Sequence, residues 1–250
     1  MSDVYGPVQP DSPQKIEPDT ELPVWRRRLR KIVLYVLGAI VLLHVYAMIL
    51  RVVPVPGTIL MAQRGLSGES VQRDWTRLED ISPHLARAVM AGEDSRFCEH
   101  RGVDFAAIRD AIEDNAEGGR RRGGSTITQQ TAKNVFLWNG GGYPRKAVEA
   151  WLSLYTNIIW GKRRTMEIYL NVAEWGDGIF GAEAAAQARF GKAASELTAR
   201  EAALLASVLP SPNKWRVDPP SDFVNGRANT LAQRMRVIQT SGYDACLKLK

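Results

Sequence analysis

The sequence predicts a mainly α-helical body preceded by a single transmembrane helix. Three observations carry that expectation. Ile32 to Leu50 reads IVLYVLGAIVLLHVYAMIL, nineteen residues without a formal charge. After residue 70, apolar positions recur at helical spacing, with few of the strict alternations that mark strands. Helix caps punctuate that pattern, with Ser82-Pro83, Asp104 and the Thr198…Glu201 pair the clearest.

Composition sets the bounds. A chain of 250 residues, 45% hydrophobic and 24% charged, can bury one sizeable core and carry appendages. The net charge of +6 leaves 27 basic against 22 acidic residues after Lys31. A mildly basic body suits an anionic partner such as phosphate or a lipid headgroup. Cys98 and Cys246 match no metal-ligand or CxxC spacing, and one disulfide or two free thiols both fit. Three scattered histidines give no cluster and no call for a transition metal.

Taken in order, residues 1–31 read as a cytoplasmic tail with Pro7, Pro10, Pro13, Pro18 and Pro23. Residues 32–50 form the anchor, about 28 Å long at ~1.5 Å per residue, close to one bilayer core. The flank Arg26-Arg27-Arg28-Leu29-Arg30-Lys31 outweighs Arg51 and Arg64 on the other side, so the N-terminus is expected in the cytoplasm. No A-x-A-like site follows, which favours a retained anchor over a cleaved signal peptide. Residues 51–69, with Pro54, Pro56 and Gly57, read as a linker, 70–240 as the folded domain and 241–250 as a tail. Helices are expected from Ser82 to Ala91, from Asp104 through Ile112, and over 125–134, 144–160, 163–172, 179–190, 198–209 and 223–240.

Glu93 and Asp94 follow the helix that Ser82 begins. A helix C-terminus disfavours negative charge by about 0.3–1 kcal/mol, so a sequence shaped for stability alone would carry Lys there. With Phe97 and His100 near enough to wall a pocket, Glu93 is the candidate general base. Gly118 to Thr126, GGRRRGGST, is a basic loop running into a helix start, an arrangement suited to pyrophosphate but lacking the lysine of a nucleotide-binding loop. Thr126, Gln130 and Lys133 are spaced to share one helix face. Arg145 and Glu149 stand at i and i+4, a spacing that by itself explains only an exposed ion pair.

These segments appear in a meaningful order. Glu93-Asp94-Ser95-Arg96-Phe97-Cys98-Glu99-His100-Arg101-Gly102, then Gly124-Ser125-Thr126-Ile127-Thr128-Gln129-Gln130-Thr131-Ala132-Lys133-Asn134, then Arg145-Lys146-Ala147-Val148-Glu149 resemble the first three signature motifs of the peptidoglycan glycosyltransferases. Arg164 to Asn171 and Arg200 to Ala206 resemble two more, and the similarity covers about residues 70 to 215. Asn171-Val172-Ala173-Glu174-Trp175-Gly176 is most similar to the monofunctional biosynthetic branch. Ser211 to Lys214 fits SxxK, but no KTG element follows, so no penicillin-binding domain is expected.

The resemblance implies a lysozyme-like glycosyltransferase domain that elongates glycan chains from lipid II by inverting β-1,4 transfer, releasing undecaprenyl pyrophosphate. It implies Glu93 as the base for the acceptor 4-hydroxyl and Glu149 as the second essential carboxylate. Lys133, Arg145 and Lys146 match positions near the pyrophosphate. Ser125, Thr126 and Gln130 match substrate-contacting positions, and Asp94, Phe97 and His100 match residues that shape the site. It allows Mg²⁺ to assist, though no ligand set in the sequence requires a cofactor. Partners implied are lipid II, the growing strand, the membrane, and cell-wall synthase or division proteins, with no nucleic acid. Location would be the inner membrane, with the catalytic domain periplasmic. The arginine common in relatives just before Arg145-Lys146 is absent from Trp138 to Tyr143, and Arg120 to Arg122 are candidates to replace its charge. A glycan-cleaving lytic transglycosylase and a non-catalytic membrane scaffold are the alternatives, since fold does not fix function.

Overall fold

A computed structural model describes residues 23–116 and 124–249. The arginines of the basic loop, Arg120 to Arg122, therefore lie outside the described residues, as does most of the N-terminal tail. The chain divides into two units, one ending at His44 and one beginning at Val45. Helix α1 spans Val24–Leu50. It starts ahead of the apolar run, so the basic flank read as tail is helical. Pro23 suits a helix start, and Arg, Leu and Lys are good helix formers. In the first unit Ile32, Leu34, Val36, Leu37, Ile40 and Val41 are all exposed. A helix apolar all round with no protein cover is suited to a bilayer.

The second unit begins with the last turns of α1, where Ala47 and Leu50 are buried. A helix leaves its final carbonyls without partners, and here the body supplies donors. Trp160 Nε1 donates to the Ala47 carbonyl at 2.8 Å, and Arg164 Nε to that of Leu50 at 3.0 Å. Helix α2 (Ile59–Leu66) follows in a segment read as linker; Thr58 caps it by accepting from the Met61 amide at 3.2 Å.

A two-stranded parallel ribbon joins β1 (Gln72–Arg73) to β2 (Ile179–Phe180). Residues 179 and 180 were expected to open a helix, which instead starts three residues later than expected, as α7 (Ala182–Phe190). Gly178 and Gly181, at φ +73° and +90°, bracket the strand, and a Cβ on Gly178 would meet the Ser70 carbonyl at 2.3 Å. That close approach holds β1 against β2.

The main core forms where α3 (Pro83–Glu93) packs on α8 (Ala199–Val208) and α9 (Asp222–Thr240). Leu85, Val89, Leu205, Val208, Leu231 and Met235 fill it. Fully buried side chains of this kind contribute about 1.5–3 kcal/mol each. The expected Thr198 and Glu201 capping box opens α8. Ser82 precedes α3 as expected, but its hydroxyl donates to the Leu197 carbonyl at 2.8 Å and does not cap the helix.

Helix α4 (Phe105–Ala116) starts at Asp104, whose carboxylate accepts from the Ala107 amide at 2.9 Å. Helix α5 (Ile127–Phe136) packs along α6 (Gly142–Val172). The two helices expected over 144–160 and 163–172 form one element broken at Gly161, where φ 66° and ψ 178° interrupt the helical turn. Beyond α9, residues read as a tail are packed: Leu247 is buried, and Cys246 forms a disulfide with Cys98 across 148 residues of sequence.

Candidate active site

Helix α3 runs two residues further than expected, ending with Glu93 itself. The side chain is 13% exposed. Gln130 Nε2 donates to its Oε2 at 2.9 Å, and Arg227 Nη2 stands 3.9 Å from Oε1. Oε1 is buried and accepts no hydrogen bond among the described residues. Burial pushes the Glu93 carboxyl above its ordinary value; Gln130 and Arg227 pull it back, and the Asp94 charge raises it further. A desolvated carboxylate with one oxygen held by a hydrogen bond and the other without a hydrogen-bond donor is equipped to accept a proton.

Asp94 and His100 brace the loop that follows. His100 Nε2 lies 3.0 Å from both Asp94 oxygens, while the Gly102 amide donates to Nδ1 at 3.2 Å. Nδ1 must therefore be the acceptor, and Nε2 carries the proton toward Asp94. The Ile127 amide also donates to Asp94, at 3.0 Å, which ties the start of α5 to the end of α3. Phe97 is buried with its ring edge-on to His100. Gly102, at φ +103°, lies so close to the Ser153 carbonyl that a Cβ would approach it to 2.5 Å.

Thr126 is the N-cap of α5 in a full capping box with Gln129. Its hydroxyl accepts from the Gln129 amide at 3.1 Å and donates to the Gly102 carbonyl at 2.6 Å. Thr126 is thus engaged inside the protein. Gln130 reaches Glu93, and one turn on, Lys133 reaches toward the second carboxylate.

That carboxylate is Glu149, buried on α6. Arg145 Nη1 donates to Oε2 at 2.5 Å, Lys146 Nζ donates to Oε1, and Lys146 also reaches the Ser125 hydroxyl at 2.8 Å. Burial pulls the Lys133 ammonium below its ordinary value; Glu149 opposes that shift, and Arg145 and Lys146 add to it. The result is three cations around one carboxylate, a cluster able to receive further negative charge. Helix α5 links the two clusters, with Gln130 at one and Lys133 at the other. The described residues offer no set of three carboxylate, histidine or cysteine side chains to hold Mg²⁺.

Three residues here escape sequence reasoning. The Tyr169 hydroxyl donates to Gln130 Oε1 at 3.2 Å; burial, then the Glu93 and Asp94 charges, hold its pKa far above the ordinary tyrosine value. Lys162 sits 4.5 Å from the centre of the Phe97 ring, with burial lowering its pKa to about 8 against the attraction of Asp94. Arg227, on α9, approaches Glu93. Tyr169 lies in a recognisable motif, but nothing in its spacing points to Gln130.

The family described as Transglycosylase matches residues 59–236, a span that contains every residue of both clusters. A protein named biosynthetic peptidoglycan transglycosylase from Rhodospirillum centenum is 48% identical over 222 residues, 88% of this chain and 96% of that relative. A protein of the same name from Caulobacter vibrioides is 46% identical over 223 residues, 89% of this chain and 97% of the relative. Another, from Pseudomonas entomophila, is 46% identical over 234 residues, 90% of this chain and 98% of the relative.

Proposed function

The chain belongs to the transglycosylase family, and we propose that its activity, polymerising peptidoglycan glycan strands from lipid II, is divided between its two carboxylates. Glu93 Oε1 takes the proton from the acceptor's GlcNAc 4-hydroxyl. The oxygen attacks the anomeric carbon of the growing chain's terminal MurNAc from the face opposite the leaving group. The bond from that carbon to the pyrophosphate oxygen breaks, and its electron pair departs with undecaprenyl pyrophosphate. Inversion at the anomeric carbon gives the β-1,4 link.

Charge develops on the leaving group, and fixed cations aimed there lower the barrier. Lys133, Arg145 and Lys146 fill that role, and Glu149 holds the latter two in place. Ser125 steadies Lys146, and Gln130 holds Oε2 of Glu93, which leaves Oε1 for the acceptor hydroxyl. Asp94, Phe97 and His100 support the acceptor side from behind, holding the loop that follows Glu93. The observation that supports the reading is the buried Glu93 carboxylate, whose Oε1 has no hydrogen-bond donor among the described residues. Glycan cleavage, the rival chemistry, is not favoured, because the relatives are named for biosynthesis.

Polymerisation of lipid II by wild type and Glu93→Gln tests the assignment. Removal of a general base is expected to lower kcat by about 10²–10⁴-fold with folding intact. Full activity in the variant would remove Glu93 from the role.

We further propose that the N-terminus is cytoplasmic and the body lies across the inner membrane. The basic flank of α1 supports this, as does a disulfide suited to an oxidising compartment. A thiol reagent excluded from the cytoplasm should label a cysteine placed at Tyr243 and not one placed before Arg26. The proposed protein partners, cell-wall synthases or division proteins, are open to site-directed cross-linking from the body.

A further inference from the structure

A cleft of about 580 Å³ opens beside the end of α1, lined by none of the residues assigned to glycosyl transfer. Its floor is built on the helix terminus: Trp160 and Arg164 hold the carbonyls of Ala47 and Leu50, and Arg164 Nη2 reaches the Val53 carbonyl at 2.5 Å. Leu50 is the last residue of the apolar helix. The cleft therefore lies where hydrocarbon gives way to lipid headgroups, a depth set by bonds to the helix itself.

The chemistry of the lining suits that depth. Four arginines, Arg51, Arg77, Arg163 and Arg164, face two carboxylates, Glu79 and Glu167, leaving a net +2. Arg164 is paired with Glu167, and Arg163 with Glu79 at 2.9 Å, so both carboxylates are already matched. The guanidiniums of Arg51 and Arg77 are exposed and make no hydrogen bond or close ion pair among the described residues, although the Arg77 charge is felt by Glu79. They supply the excess charge. Trp75 lies under the guanidinium of Arg164 at 5.2 Å, and with Trp160 it gives the cleft the aromatic surface found at membrane interfaces. Val52 and Pro54 form an apolar lip.

We infer that this cleft binds the phosphodiester headgroup of an anionic phospholipid, with Arg51 and Arg77 as its phosphate ligands. The two guanidiniums offer charge-assisted donors to the phosphate oxygens, and the apolar lip faces the glycerol and first acyl carbons. This rests on reading α1 as a membrane anchor, and the test separates the two. Retention of the full chain in nanodiscs of phosphatidylcholine alone reads the anchor.

Native mass spectrometry of the full chain, delipidated and exposed to equimolar phosphatidylglycerol and phosphatidylcholine, reads the cleft. Wild type should retain phosphatidylglycerol preferentially. Arg51→Ala/Arg77→Ala should cut that preference at least about fivefold, as loss of two surface charges requires, with lipid II polymerisation in neutral detergent unchanged. Arg26→Ala/Arg28→Ala, on the other flank of the helix, should leave most of the preference in place. An unaltered preference in the Arg51/Arg77 variant overturns the proposal, as does a preference lost only in the Arg26/Arg28 variant. Glycerol phosphate displacing the lipid at equal concentration would overturn it in favour of a free-phosphate site. Failure of the chain to stay in neutral nanodiscs would remove the anchor and the depth argument with it.

Discussion

Glu93 is stabilised in its neutral form by burial, and that has a signed consequence for pH. A carboxyl whose pKa is higher in the folded than in the unfolded chain contributes stability below the unfolded value and loses it as pH rises through the folded one. At neutral pH, above the unfolded value, the buried Glu93 carboxyl is therefore a cost to the fold. Glu93→Gln should melt at a higher temperature than wild type at neutral pH, with the difference closing toward about pH 4. Calorimetry across that range checks it. In the same direction, the acid limb of kcat/KM should lie above the ordinary glutamate pKa of about 4.3. Glu149 carries a separate expectation, set by its ion pairs. It is buried among cations, so Glu149→Gln should lower stability by about 1–3 kcal/mol as well as activity, by leaving Arg145 short of its partner. Equal or higher stability by denaturant titration would contradict that account. The sequence made Glu93 visible by its awkward place at a helix end, and Glu149 only by its motif. It could not reveal Tyr169, Lys162 or Arg227, because each reaches the site from a distant part of the chain.

Helices were legible where their own residues specify them. The α8 capping box, Asp104 before α4, and the gap between residues 160 and 163 in α6 all follow from local chemistry. Helix α2 was not legible, being short with Gly65 inside it, and neither was the ribbon, since a two-residue strand has no period to detect. Gly161 gives an element-scale test. Its backbone conformation is one that only glycine adopts readily, yet no atom lies within 4 Å of an added Cβ. The cost of Gly161→Ala is therefore backbone strain alone, about 1–3 kcal/mol. Because the break sets where Lys162 and Tyr169 point, activity should fall further than the loss of folded protein explains, and a kcat measured per folded molecule separates the two. Thr126→Ala should cost about 0.5–2 kcal/mol through the lost cap of α5. Thr126→Ser should restore most of it, as denaturant titration would show.

At the scale of the molecule, the mainly α fold and a helix long and apolar enough to cross a membrane were readable because both rest on patterns spread over many residues. The pairing of Cys98 with Cys246 was not, because spacing alone left thiols and a disulfide equally consistent. The bond connects the loop after Glu93 to the segment beyond α9, and in the chain-entropy view a closure of this length constrains the unfolded state by about 5 kcal/mol. Cys98→Ser/Cys246→Ser should lower stability by about 2–5 kcal/mol, measured under non-reducing conditions. The sequence separation of 148 between the two cysteines also imposes an order of events. A growing chain presents its thiol at Cys98 long before its partner is made, and the loop beside Glu93 can be fastened only when α4 through α9 have been synthesised. Every chain arrested earlier carries a single open thiol next to its reaction centre, so maturation of this protein has a chemical last step that marks finished molecules from unfinished ones.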